Sequence, residues 1–91
     1  MTIAEERIRR LEDLASEAVA SEDVERSRSY VRLAKRIAER QRLPFPRSFE
    51  RRTCDQCDAY LRPGYNARVR LQDGHVVITC DCGSQARYPY A

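Results

Sequence analysis

The chain has 91 residues, 42% hydrophobic and 34% charged, with no tryptophan, two phenylalanines and a formal net charge of +3. That is material for one small domain with a thin core, which at this size needs a metal, a disulfide or a partner to hold it. No run approaches the roughly 18–20 apolar residues of a membrane span, and the opening Met1-Thr2-Ile3-Ala4-Glu5-Glu6 lacks the basic-then-apolar layout of a secretory signal, so a membrane protein, a secreted enzyme and a large-pocket catalyst fit poorly and a cytoplasmic location is expected.

Thr2-Ile3-Ala4-Glu5 has the form of a capping box, and Ile8, Leu11, Ala15 and Ala18 follow at helical steps with Leu14 and Val19 beside them. The pattern predicts an amphipathic helix over about residues 3–20. Ser21 is the expected N-cap of a second helix over about 22–42, where Val24, Val31, Ala34, Ile37 and Ala38 form a stripe widened by Tyr30 and Leu33. Helices this long joined so briefly make an antiparallel hairpin. Its outer apolar surface must be completed by the C-terminal part, by a partner protein, or by both.

Leu43-Pro44-Phe45-Pro46 ends the second helix, because proline disfavours helical geometry at the residue before it. Charge is segregated along the chain. Residues 1–25 hold eight acids and three bases, 26–52 hold ten bases and two acids, and the remainder balances. Sixteen of the seventeen basic residues are arginine, whose planar fork suits phosphate and stacks on bases. The chain therefore divides into a two-helix hairpin (1–43), a basic, proline-containing linker (44–53) and a C-terminal unit (54–91).

That unit holds all four cysteines, as Cys54-x2-Cys57 and Cys80-x-Cys82 with 22 residues between the pairs. Two close thiol pairs flanking a hairpin give the four tetrahedral ligands that structural zinc takes. Disulfides require an oxidising compartment, and a redox C-x-x-C normally sits in a βαβ unit that is absent here. Between the pairs, Asp73-Gly74 predicts a two-residue turn that sets Leu71 opposite Val76, Val69 opposite Ile78, Arg70 opposite Val77 and Arg68 opposite Thr79. One face would pack and the other display arginine. Ala86-Arg87-Tyr88 can add a third strand. The expected fold is a small α+β protein: an antiparallel helical hairpin followed by a zinc ribbon holding one structural Zn2+ through Cys54, Cys57, Cys80 and Cys82. His75 reads as an exposed turn residue. No nucleophile, base or paired carboxylates form a catalytic set.

The string Arg51-Arg52-Thr53-Cys54-Asp55-Gln56-Cys57, then Pro63-Gly64-Tyr65-Asn66-Ala67-Arg68-Val69-Arg70, then Val77-Ile78-Thr79-Cys80 and Cys82-Gly83, closing on Arg87-Tyr88-Pro89-Tyr90, resembles the archaeal ribonuclease P protein component 4 family. In one respect it departs from the pattern. The last two cysteines enclose only Asp81, where the family usually has two residues.

The resemblance implies a non-catalytic subunit of the ribonucleoprotein that removes 5′ leaders from precursor tRNA, cleavage being carried out by the RNA. It further implies a heterodimer with a component 1 type subunit and binding of the pair to the specificity domain of the ribonuclease P RNA. Carried onto this sequence, the candidates for the protein contact are Ile8, Leu11, Val31 and Ile37, some of which must instead hold the two helices together. The RNA contact falls on Arg36, Arg40 and Arg42 of the second helix, Arg47, Arg51 and Arg52 of the linker, Arg68 and Arg70 of the hairpin, and Arg87 with Tyr88. The residues alone also fit a stand-alone zinc-ribbon regulator of DNA or polymerase, or a protein-interaction module.

Overall fold

The computed structural model describes residues 2–89; Tyr90 of the Arg-Tyr-Pro-Tyr ending lies outside them. Helix α1 spans Ile3–Ala20, α2 Val24–Arg40 and α3 Arg47–Arg51, followed by β1 (Ala67–Gln72), β2 (His75–Cys80) and β3 (Gln85–Pro89). The capping box forms: Thr2 Oγ1 accepts from the Glu5 amide at 3.2 Å, and Glu5 Oε1 accepts from the Thr2 amide at 3.3 Å.

The second helix is shorter than its periodicity predicts, and its N-cap is Asp23 rather than Ser21. Glu22 adopts a left-handed φ of 61°, which lets the Asp23 amide donate back to Ala18 O at 2.8 Å and close α1. The chain re-enters helix one residue later, and the Asp23 carboxylate accepts from the Arg26 amide at 3.1 Å. α2 ends the same way, with Arg42 at φ 54° and the Leu43 amide donating to Ala38 O at 2.8 Å.

Ile8, Leu11, Ala15 and Val19 from α1 meet Val31, Ala34 and Ala38 from α2, and the alanines let the two backbones approach closely. The hairpin's open side is closed from within the chain. α3, inside what the sequence presents as a linker, inserts Phe49, which is 0% exposed, and the ribbon adds Tyr60 at 4%. Their rings meet edge to face with centroids 5.9 Å apart, and Phe45 lies 4.7 Å from Phe49. Three aromatic rings thus join helices, linker and ribbon in one core.

The sheet has the order β1-β2-β3, antiparallel throughout, in the register that the turn predicts. Asp73 and Gly74 both take positive φ, 48° and 78°, as a primed two-residue turn requires. The packing of the two faces differs from expectation. Val69 and Leu71, on the apolar face, remain 45% and 70% exposed, because no element covers the turn end of β1. Val77, on the arginine face, is the buried one. It lies in register between Arg70 and Arg87.

Candidate metal centre and basic surface

The first cysteine pair sits on a tight loop closed by the Asp58 amide donating to Cys54 O (2.9 Å) and the Cys54 amide donating to Ala59 O (3.0 Å). The second is closed by the Gly83 amide on Cys80 O at 2.9 Å, with Gly83 at φ 98°, a conformation that glycine adopts without strain. Buried Asn66 ties the two loops together. Its side-chain amide donates to Tyr60 O at 2.9 Å, its Oδ1 accepts from the Arg62 amide at 2.7 Å, and its own carbonyl accepts from the Asp81 amide at 3.0 Å.

This scaffold brings the sulfurs of Cys54, Cys57, Cys80 and Cys82 within 4.8 Å of one another. Cys54 and Cys82 are 3.5 Å apart, and Cys57 and Cys80 are 3.7 Å apart. A tetrahedral zinc with bonds of about 2.3 Å sets its sulfurs about 3.8 Å apart, so the donor set fits the ion in number, chemistry and spacing. The single residue between Cys80 and Cys82 does not hold either sulfur out of the set. Ser84 Oγ lies 2.9 Å from Cys54 and 3.3 Å from Cys82. Hydrogen bonds from the Ser84 side chain and backbone hold the Cys82 thiol down at about 6. Burial works to raise Cys54, but Ser84 and the amides of Cys57 and Gln56 outweigh it and leave it lowered, while burial pushes Cys80 well up. The four cysteines are placed to bind zinc. Four thiolates close a tetrahedral ion and leave no position for a reacting water.

Helix α2 grips the first cysteine loop. Asp58, at a left-handed φ of 62°, contacts Lys35 Nζ and accepts from Arg32 Nε at 3.2 Å; burial works against ionisation, yet these two cations lower its pKa. Ser27, fully buried, accepts from the Tyr60 amide at 3.3 Å. Neither contact is legible in the sequence, since the partners lie 23–33 residues apart. Asn66 carried a signal, its place in the Pro-Gly-x-Asn segment.

The basic candidates distribute over more than one surface. Arg68, Arg70 and Arg87 share one sheet face. Tyr88 is on the other, its ring 5.0 Å beneath the Arg51 guanidinium. Arg36 and Arg40 are exposed on α2, Arg42 just beyond it, and Arg47, Arg51 and Arg52 on and after α3. Among the described residues none of these nine arginines pairs with a carboxylate; the ion pairs use Arg26, Arg28, Arg32 and Lys35.

Of the apolar residues expected at a protein contact, Ile8 (1% exposed), Leu11 (7%) and Val31 (0%) are core. They hold the hairpin together and have no surface left to offer, and Ile37 alone is half-exposed. The open apolar side chains of the helices are Ile3 at 70% and Leu33 at 41%. Ile3 and Ile37 line one groove of about 250 Å³ with Ala4, Arg7, Arg40 and Gln41. An isoleucine outside the α1 core stripe was the available signal for it.

Residues 7–83 match the family described as the RNAse P Rpr2/Rpp21/SNM1 subunit domain. The chain belongs to this family. It is 62% identical over 89 residues to ribonuclease P protein component 4 of Halobacterium salinarum, covering 98% of this chain and 96% of that one. Against the protein of the same name from Methanosarcina acetivorans it is 48% identical over 89 residues, covering 97% and 82%. Among solved structures it resembles a chain of an archaeal ribonuclease P determined by cryo-EM with mature tRNA, at TM-score 0.90, 44% identity and coverage of 97% and 77%. It also resembles a structure described as Pfu Rpp21, at TM-score 0.68, 40% identity and coverage of 93% and 97%. The small α+β fold with its cysteine cluster is thus a member of a ribonuclease P subunit family.

Proposed function

We propose that this protein is a non-catalytic RNA-binding subunit of ribonuclease P, acting in the cytoplasm in the removal of 5′ leaders from precursor tRNA. The observation that carries the reading is the likeness, at TM-score 0.90 over 97% of the chain, to a chain of a ribonuclease P solved with mature tRNA. One structural Zn2+ on the four cysteines holds the ribbon. The unpaired arginines bind the specificity domain of the ribonuclease P RNA through phosphates, Arg68, Arg70 and Arg87 from one sheet face and Arg51 with Tyr88 from the other. Arg36, Arg40, Arg42, Arg47 and Arg52 extend that basic surface. A component 1 type subunit docks on the helical hairpin. The groove between Ile3 and Ile37 is its apolar anchor, because these side chains have area to bury that Ile8, Leu11 and Val31 lack.

The test is gentle purification of the tagged protein from its native cells, sequencing of bound RNA and assay of leader cleavage in the eluate. Enrichment of ribonuclease P RNA with cleavage activity is the expected result. A stoichiometric protein partner without that RNA would overturn the reading and favour a protein-interaction role.

A further inference from the structure

The two faces of the sheet are built for different contacts. Arg68, Arg70 and Arg87 offer charge on one of them. On the other, Val69 stands across from Ile78 in register, and a groove of about 280 Å³ opens against the pair. Leu61, Pro63, Val69 and Ile78 give it apolar walls, and exposed Arg51 and Arg52 line it beside them. No carboxylate lines this groove; Asp55 belongs to the neighbouring cleft that Arg51 also borders. Among the described residues, neither arginine forms an ion pair.

Backbone pairing fixes the walls. The Leu61 amide donates to Arg52 O at 2.6 Å, and Thr53 and Tyr60 form an antiparallel bridge beside it. Pro63 is bridged to Ala67, where β1 begins, and the Gly64 amide donates to Ala67 O at 3.0 Å. Arg51 is oriented in turn, its guanidinium 5.0 Å from the centre of the Tyr88 ring. A groove held in this way needs little ordering to receive a ligand.

Its chemistry selects among occupants. An apolar protein side chain would cover the walls and leave two cations partly desolvated with no acid to answer them. An unstacked nucleotide satisfies both halves, because its base has an apolar π-face and its phosphate suits the arginine fork. The volume is near the lower end of small-ligand sites, about 300–1,000 Å³, which suits one base rather than a duplex.

We propose that this groove receives one unpaired nucleotide of the ribonuclease P RNA. The base lodges against Leu61, Pro63, Val69 and Ile78, and the phosphate is held by Arg51 and Arg52. The proposal deepens the ribonuclease P reading and rests on it. It makes the ribbon a two-sided grip, with phosphates read on the arginine face and a loop, bulge or end read on the other.

The test uses the ribonucleoprotein purified gently from native cells through the tagged full chain. Wild type, Val69→Ser, Arg51→Lys and the control Leu71→Ser are compared; Leu71 shares the face of Val69 but does not line the groove. Short-wave ultraviolet light joins bases to the side chains they touch, and the adducts are located by mass spectrometry and RNA sequencing. Wild type should give an adduct between a groove residue and one unpaired nucleotide of the ribonuclease P RNA. Val69→Ser should lower its yield roughly fivefold, in line with the loss of one stacked base. Arg51→Lys should lower it too, since lysine keeps the charge and loses the planar fork, and Leu71→Ser should match wild type.

A yield unchanged in both groove variants, or adducts confined to other surfaces or to precursor tRNA, would overturn the proposal and leave the ribonuclease P reading standing. So would a Val69→Ser complex that keeps its RNA adducts and sheds a protein subunit, because the groove would then be a protein contact. A wild-type complex without ribonuclease P RNA would overturn both. Should Val69→Ser fail to accumulate, Arg51→Lys decides: a lowered adduct supports the proposal and a wild-type yield refutes it.

Discussion

Phe49 and Asp58 are the side chains on which the joint between helices and ribbon depends, one through burial and one through charge. Truncating the fully buried Phe49 to alanine should destabilise the chain by about 3–5 kcal/mol, read as a shift in urea midpoint, because its cavity opens where helix, linker and ribbon meet. Asp58→Asn is a cleaner probe. Asparagine tolerates the left-handed backbone at φ 62° as well as aspartate does, so the substitution isolates the charge that Arg32 and Lys35 hold. A loss of about 1 kcal/mol is expected, since the cations are partly solvated; an equal loss in 1 M salt would count against an ionic origin. The cysteine cluster was legible because C-x2-C and C-x-C are local patterns with a stated chemistry. Asp58, Ser27 and Ser84 were not. Each acts through a fold-dependent neighbour, and nothing in the residue type says which loop will be turned toward which helix.

Among the elements, the sheet register and the bounds of α1 were legible to the residue and the ends of α2 were not, for one reason. Asp73-Gly74 announces a positive-φ turn, whereas Glu22 and Arg42 adopt the same backbone region with side chains that give no notice of it. The five residues of α3 were hidden between prolines and basic residues, and only their single apolar member, Phe49, marks them as structural. Gly74→Val tests the turn. A β-branched residue at φ 78° should cost about 1–3 kcal/mol and raise amide exchange in β1 and β2 while leaving α1 protected. The open apolar edge of β1 makes the opposite prediction. Leu71→Ser, at a side chain 70% exposed, should change the stability of the isolated chain by less than about 0.5 kcal/mol in a urea titration.

On the scale of the whole molecule, the cysteine cluster and the basic surface each carry a prediction. Chelation should abolish amide protection across 54–89, because binding energy at the cysteines is also folding energy, and should loosen α2 around Ser27, whose partner is Tyr60 in the ribbon. Unchanged circular dichroism in chelator would contradict this. Affinity for RNA should fall linearly on a log–log plot against salt. Replacing Arg51, Arg52, Arg68 and Arg70 by glutamine should flatten that slope by roughly 0.7–0.9 for each phosphate contact removed. The segregation of charge along the chain and the arginine face of the hairpin were plain in the sequence, but the second basic face was not, because it depends on α3 laying Arg51 over Tyr88.

Helix α2 has two clients at once. Val31, Ala34 and Ala38 answer to α1, while Ser27, Arg32 and Lys35 answer to the cysteine loop. One residue inserted or deleted between Ser27 and Lys35 would rotate everything beyond it by about 100°, and no adjustment of the remaining helix could restore both sets of contacts. Single substitutions along α2 can be graded from mild to severe. Its length cannot be varied, and of all the segments in the chain this one should tolerate indels least, while the exposed turn at Asp73-Gly74 accepts them best.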